Sequence, residues 1–330
     1  MVVKFIQEID DEMDQLEKEF EDTLDLASQG DVDAMYKVSK YYYEGVAVDA
    51  DYELSFSWLK KAAENDLVDA QVDLAHAYYE GVGTKINDSQ SFFWYKKAAD
   101  QGHTKAQHYL GTYYRKGIGT RKSFKKAFEY YNKAANQMMP EALNNVGACY
   151  FKGEGVKRDY EKAVEYFKKA IDLDEIKSYV NLGDCYKDGL GVKQDYNEAM
   201  SLYIYALENG STKALHRVGD CYKEGIGVDT DFNKAFEYYK KAAELDNPTG
   251  IYKLALCYMN GTGIEKDLDK GVTLLFKAAW RGSVDAEYEL GYCYEKGISV
   301  EKNIDEMVFW YSKAAKDGDK RAKNKLEELE

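Results

Sequence analysis

Residues 142–177 read ALNNVGACYFKGEGVKRDYEKAVEYFKKAIDLDEIK, and this stretch decides the fold. Ala142, Val146 and Tyr150 stand four apart, so on a helix they share one face. Gly153-Glu154-Gly155 then breaks the pattern, and glycine suits a left-handed helix end. Val156 follows, and Asp159 has the side chain of a residue that caps a second helix. That second helix carries an aromatic run and ends on small residues. The segment thus predicts a helix, a tight turn and a second helix within 36 residues.

Moving outward, the same glycine recurs every 36 residues at Gly45, Gly81, Gly117, Gly153, Gly189, Gly225, Gly261 and Gly297, with no insertion between them. The tyrosine recurs in phase from Tyr42 to Tyr294, which marks a packing position. The capping position recurs as Asp51, Asn87, Ser123, Asp159, Asp195, Asp231, Asp267 and Asn303. A 36-residue unit cannot bury its apolar face alone, so neighbouring units must stack. Complete units are expected over 34–321 in eight copies. A degenerate half-unit is expected at 20–33, an acidic N-terminal helix or cap at 1–19, and a charged C-terminal cap at 322–330. Pro140 and Pro248 fall in the first turn of a first helix, where a missing N–H costs nothing.

The pattern Ala-x3-Leu/Val-Gly-x2-Tyr-x2-Gly-x-Gly-Val-x2-Asp-x3-Ala-x2-Tyr/Trp-Tyr-x-Lys-Ala-Ala resembles that of Sel1-like repeats. Ala142–Ala170 and Ala214–Ala243 follow it closely, and the resemblance spans about residues 20–321. It implies an all-α, right-handed α-solenoid of helix pairs, similar to tetratricopeptide repeats and used as a scaffold or adaptor. Departures are Ala47 and Ser299 at the second glycine of the turn, and Ser39, Ala75 and Ala255 at the position of Gly147. A disulfide-rich branch of the family pairs two cysteines within each unit. Here Cys149, Cys185, Cys221, Cys257 and Cys293 come one per unit. Such an odd, unclustered set reads as buried packing residues in a reducing compartment.

The net charge is −14, and residues 1–33 alone carry twelve acids against two bases, a local balance of −10. This disfavours nucleic acid as a partner. The acidic run reads either as a solvated cap or as a docking site for a basic partner. No apolar run of signal-peptide or membrane-spanning length occurs, so a cytoplasmic chain without membrane insertion is expected.

Catalysis is not expected. The Gly-x-Gly turns lie between helices and lack the Gly-Lys-Ser/Thr of a phosphate loop. His76, His103, His108 and His216 have no metal-ligand spacing and read as surface or groove residues. No cofactor or metal is implied. The expected function is a non-catalytic adaptor that holds a peptide or protein in its concave groove. The alternatives are an inhibitor or immunity protein occluding an enzyme, and a subunit of a larger assembly.

Two surfaces are candidates for the partner. On the first helices, Tyr109, Asn145, Asn181 and Arg217 form an in-phase series beside Asp184 and Asp220, and amides next to an arginine suit a peptide backbone or a carboxylate. On the second helices, Ile204 and Tyr205 replace the lysines usual there, and Phe276 does so two units later. They are expected to form an apolar surface for a partner or for self-association.

Overall fold

The computed structural model describes the backbone of residues 2–329, and side chains of residues 13–329. Every element among the described residues is a helix. Helix α1 (Val2–Ser28) leads the chain. Three first helices and their partners follow: α2 (Val32–Glu44) with α3 (Tyr52–Glu64), α4 (Val68–Glu80) with α5 (Asp88–Asp100), and α6 (Thr104–Lys116) with α7 (Phe124–Ala135); next in the chain come α8 (Pro140–Lys152) and α9 (Tyr160–Ile171). The series continues through α10 (Ile176–Asp188), α11 (Tyr196–Glu208), α12 (Thr212–Glu224), α13 (Phe232–Glu244), α14 (Pro248–Asn260), α15 (Leu268–Trp280), α16 (Val284–Lys296), α17 (Ile304–Lys316) and α18 (Lys320–Glu327). The chain divides into two compact units, Met1–Asp159 and Tyr160–Glu330.

The turn chemistry explains the regularity. Each first helix ends at a glycine in the left-handed region, such as Gly117 at φ 78°, whose N–H donates to the carbonyl of Tyr113 at 2.7 Å. The next residue, Ile118, donates to that same carbonyl at 3.1 Å, so the end combines the 6→1 bond of a Schellman motif with the 5→1 bond of a left-handed cap. Ser123 N–H then donates to Tyr114 O at 2.8 Å, and the corresponding bond recurs as Asp231 to Tyr222 and Asp267 to Tyr258, both 2.8 Å. Capping side chains start the second helices: Asp51 accepts from Leu54 N–H, Asn87 from Gln90, Asp231 from Lys234 and Asn303 from Glu306.

The turn's second glycine has a further reason. A Cβ on Gly155 (φ 76°) would lie 2.1 Å from the carbonyl oxygen of Phe124, at the start of the preceding second helix. Gly191 and Gly227 meet Tyr160 O and Tyr196 O in the same way, each at 2.3 Å. At these turns stacking brings turn backbone against helix backbone, with no room for a side chain, whereas Ser299 at φ 51° takes the same place in the last turn.

The in-phase tyrosines are half-buried rather than fully enclosed, apart from Tyr114. Several pack edge-on against a phenylalanine of the preceding second helix, as in Phe56–Tyr78 at 5.2 Å, Phe128–Tyr150 at 5.4 Å and Phe236–Tyr258 at 5.6 Å between centroids. Deeper still are the aromatics of the second helices: Tyr95, Tyr131, Tyr203, Tyr239 and Tyr311 are fully buried. A glycine opposite leaves room for the ring, since a Cβ on Gly111, Gly183, Gly219 or Gly291 would lie 2.5–2.6 Å from a ring atom of Tyr131, Tyr203, Tyr239 or Tyr311.

At the N-terminus one helix, α1, runs continuously through residue 20, where a boundary between cap and half-repeat was expected. Phe20 packs edge-on against Tyr41 and Tyr42, which seats α1 on α2. The side chains of Glu8, Asp10, Asp11 and Glu12, part of the acidic run, lie outside the described residues. The five cysteines are reduced and buried. Burial pushes the thiol of Cys149 up to about 11, and those of Cys185, Cys221 and Cys293 up to about 12. No described helix is long and apolar enough to cross a membrane.

Candidate functional site

The expected first-helix series divides between the two compact units. Tyr109 and Asn145 belong to the first, and Asn181, Asp184, Arg217 and Asp220 to the second.

In the first unit Tyr109 is exposed and stacks on Tyr95 at 5.1 Å. Asn145 Nδ2 lies 2.9 Å from His108 Nε2, one repeat back. Its amide is therefore engaged within the fold. Thr112 Oγ1 lies 3.0 Å from the hydroxyl of the buried Tyr131.

In the second unit the polar residues are tied together more tightly. Asp184 accepts from Tyr203 Oη and from Arg217 Nη2, both at 2.7 Å. Asp220 accepts from Tyr239 Oη at 2.6 Å and pairs with Lys253 Nζ at 2.8 Å. Burial pushes the Asp184 carboxyl above its ordinary range, and Arg217 and Tyr203 pull it back. Asp184, Asp220 and Arg217 were expected as partner contacts. Within the fold the two carboxylates accept from the buried tyrosine hydroxyls, which are costly to leave unpaired, while Arg217 pairs with Asp184 and Lys253 with Asp220.

These tyrosine pairs follow a spacing of nineteen residues: Thr112 with Tyr131, Asp184 with Tyr203, Asp220 with Tyr239. Where the second residue has no hydroxyl, the first is Ala148 before Phe167 and Leu256 before Leu275, while Lys40 before Leu59 breaks the pattern. The variation along the first helices is thus partly internal bookkeeping of hydroxyl groups, a signal readable in the sequence that the expected series passed over.

The histidines also differ from expectation. His216 is buried, and burial with the neighbouring Arg217 pushes it down to about 4. His103 caps α6, its Nδ1 accepting from Ala106 N–H at 3.2 Å. Only His76 of the four is exposed.

The second-helix surface is smaller than expected. Ile204 and Phe276 are half-buried against the cores of their repeats, Phe276 lying edge-on to Tyr294 and Trp310 at 6.4 and 5.8 Å. Of the three residues only Tyr205 is exposed, and its ring stacks on Tyr179 at 4.3 Å. The lysine stripe of the same face is partly paired, Lys97 with Asp66 at 2.7 Å and Lys277 with Asp246 at 3.0 Å.

A site that the sequence reading missed lies at the first repeat. A cavity of about 270 Å³ opens between α2, α3 and α4. Lys40, Tyr43 and Glu44 line it from α2, Tyr52 and Phe56 from α3, and Asp73 and His76 from α4. Its signal was Leu59, which stands where six of the other seven repeats carry Tyr or Phe. Tyr43 and Tyr52 are about half exposed and meet edge-on at 5.7 Å. Lys40 turns its ammonium over the Tyr36 ring at 4.2 Å, and the Tyr36 hydroxyl donates to Asp73 Oδ2 at 2.6 Å.

Helix pairs of constant length, joined by one repeated turn and packed only on their neighbours, define an α-helical repeat protein whose exposed first-helix positions vary from repeat to repeat. The Sel1 repeat profile matches residues 32–67, 68–103, 104–137, 140–175, 176–211, 212–247, 248–283 and 284–319, and the chain belongs to the Sel1 repeat family. Among solved structures it is similar to c5321, a protective antigen of uropathogenic Escherichia coli strains with an SLR fold, at 29% identity and a TM-score of 0.63, over 94% of this chain and 67% of that one. It is also similar to a Sel1 repeat protein of Oxalobacter formigenes, at 28% identity and a TM-score of 0.61, over 94% of this chain and 90% of that one. Yeast Tom70 shares the fold at 17% identity and a TM-score of 0.50, over 82% of this chain and 57% of that one. No curated protein matches the chain. Sel1 repeat proteins are in general non-catalytic scaffolds for protein interactions.

Proposed function

We propose that this chain is a non-catalytic adaptor that binds a peptide or protein along the face formed by its first helices. The observation that supports this most is the open cavity of the first repeat, whose α2 and α4 walls come from first-helix positions 39–44 and 73–77. Exposed Tyr43, Tyr79 and Tyr109 occupy first helices of the same unit. Tyrosine gives large amphipathic contact area with little rotamer entropy to lose, which suits a binding surface. Within the second unit, Asp184 with Arg217 and Asp220 with Lys253 brace the series of first helices to which Asn181 belongs.

The test is site-specific photo-crosslinking. A benzoylphenylalanine at position 43 or 109 should trap a partner from native lysate that one at Glu129, on the outer face of α7, does not. Trapping from position 129 alone would overturn the reading.

A further inference from the structure

The cavity in the first repeat exists for a definable reason. In four repeats the ring of the second-helix tyrosine fills the space beside the first helix, and a glycine opposite makes room for it. In the first repeat the pair is Ser39 and Leu59. Leu59 is buried but falls short of the space a ring would take. Leu275 makes the same replacement in the seventh repeat, where it is fully enclosed. There Met259 packs against Gly271, in the place of the Ser55 side chain of the first repeat, and Leu256 stands where the first repeat has Lys40. The first repeat has no such filling. Tyr43 and Tyr52 are exposed, and Lys40 is turned away onto Tyr36. The space stays open, and its walls include the rings of Tyr43, Tyr52 and Phe56, the imidazole of His76, the stem of Lys40 and two carboxylates, Glu44 and Asp73.

The charge of the site can be followed group by group. Glu44 forms no hydrogen bond or ion pair among the described residues. Asp73 uses one oxygen to accept from Tyr36. The nearby cations are occupied, Lys40 over Tyr36 and Lys37 against Glu19. The serines are spent as well, Ser39 Oγ donating to Tyr36 O and Ser55 Oγ to Ser39 O. Helix α2, which supplies Lys40, Tyr43 and Glu44, packs against the acidic α1 and begins with Asp33 in its first turn. Aromatic faces beside free carboxylates attract a cation through the ring quadrupole and through charge. A guanidinium satisfies both at once, since it stacks on rings and forks onto carboxylates, whereas an ammonium is more strongly hydrated.

We propose that this cavity receives an arginine side chain of a basic partner segment, its guanidinium held between Tyr43, Tyr52 and Phe56 and paired with Glu44 and Asp73. The proposal rests on the adaptor reading above and names the chemistry of what the first-helix face binds. The acidic stretch of α1 then serves to draw the basic segment in, a long-range effect that salt suppresses, while the cavity supplies the discrimination.

The experiment measures fluorescence anisotropy of three labelled peptides, (Gly-Arg-Ser)3, (Gly-Lys-Ser)3 and (Gly-Tyr-Ser)3, against the full chain at 50 and 150 mM salt. Two variants accompany the wild type. Ser39→Gly with Leu59→Tyr installs the glycine–tyrosine pair of four other repeats and fills the cavity. Glu44→Gln with Asp73→Asn removes the charge while keeping an amide oxygen that accepts from Tyr36. Circular dichroism melts establish that each is folded. The arginine peptide is expected to bind at least fivefold tighter than the lysine peptide, and either variant should weaken it tenfold or more. Equal binding of the arginine and lysine peptides, unchanged in the filled variant, would reduce the site to a general acidic surface and overturn the proposal. Preference for the tyrosine peptide, lost in the filled variant, would overturn the arginine assignment while keeping the first-helix face as the binding site. If no peptide shows binding sensitive to filling the cavity, the site fails, and crosslinking from position 109 decides separately on the adaptor reading.

Discussion

The two glycines of one turn should differ in cost when replaced by alanine, because they are glycine for different reasons. Gly153 and Gly155 have nearly the same backbone, φ 74° and φ 76°. Each alanine therefore carries the penalty of a left-handed residue, about 1–2 kcal/mol. At Gly153 a Cβ would sit 3.4 Å from Arg158 Cβ, an ordinary contact with a flexible neighbour. At Gly155 it would sit 2.1 Å from Phe124 O and 2.9 Å from Lys125 N, both backbone atoms at the head of a helix. Relief requires moving that helix by more than an ångström, and overpacking of this kind costs a further ~1–3 kcal/mol. Gly153→Ala is thus expected to cost about 1 kcal/mol, and Gly155→Ala at least about 1 kcal/mol more. The assay is urea unfolding by far-UV circular dichroism on both variants and wild type. Equal costs would refute the argument, since they would leave the φ penalty as the whole effect. The chain carries a partial control. Ala47 replaces the second glycine in the first turn, keeps φ at 61°, and packs its methyl against the Phe20 cluster.

Other substitutions test the remaining parts of the fold. Met138 is more than half exposed at φ 59°, where Gly102, Gly210 and Gly282 stand with nothing within 4 Å, so Met138→Gly should stabilise by about 0.5–1 kcal/mol in the same unfolding assay. Thr112→Ala should cost about 1–2 kcal/mol by stranding the Tyr131 hydroxyl, and adding Tyr131→Phe should recover most of it, since the pair then matches Ala148 and Phe167; a double variant no better than the single would refute the hydroxyl argument. His216 titrates near 4 when folded and near 6.5 when unfolded, so the unfolded chain binds the proton first. The stability it contributes is whole above pH 6.5 and lost as pH falls, by about 2 kcal/mol at pH 5, and His216→Gln should flatten that slope in melts from pH 7 to 5. Cys149, Cys185, Cys221, Cys257 and Cys293 should resist a thiol reagent until the chain unfolds, because the thiolate is suppressed at each.

The fold was legible because its determinants are local and repeated. Gly117, Ser123 and Pro140 act within a few residues of themselves, so their pattern in the chain is also their role in the structure. The candidate site was less legible, and for a physical reason. Choosing positions that vary between repeats assumes that variation faces outward. Asp184 and Asp220 vary because Tyr203 and Tyr239 need an acceptor, and Thr112 meets the hydroxyl of Tyr131 in the same way. Ile204 and Phe276 occupy positions that are lysine or asparagine in several repeats, yet they fold back onto the cores. Spacing alone does not tell an apolar residue on the surface from one that has found a neighbour.

A better reading of a repeat chain pairs the positions before interpreting them. Taken singly, Ser39 and Leu59 look like minor departures from the pattern. Taken as a pair nineteen to twenty residues apart, they are a missing ring opposite an unneeded glycine, and they predict empty volume. The pair Ala255 and Leu275 predicts the same volume in the seventh repeat, yet there Leu275 is fully enclosed, and the positions beyond Ala255 hold Leu256 and Met259. In the first repeat the corresponding positions hold Lys40 and Tyr43, which do not close the gap. One absence is compensated and the other is left open among rings and carboxylates. Functional surface in an array of this kind is therefore sought where the internal pairing fails without repair, and not simply where the sequence varies.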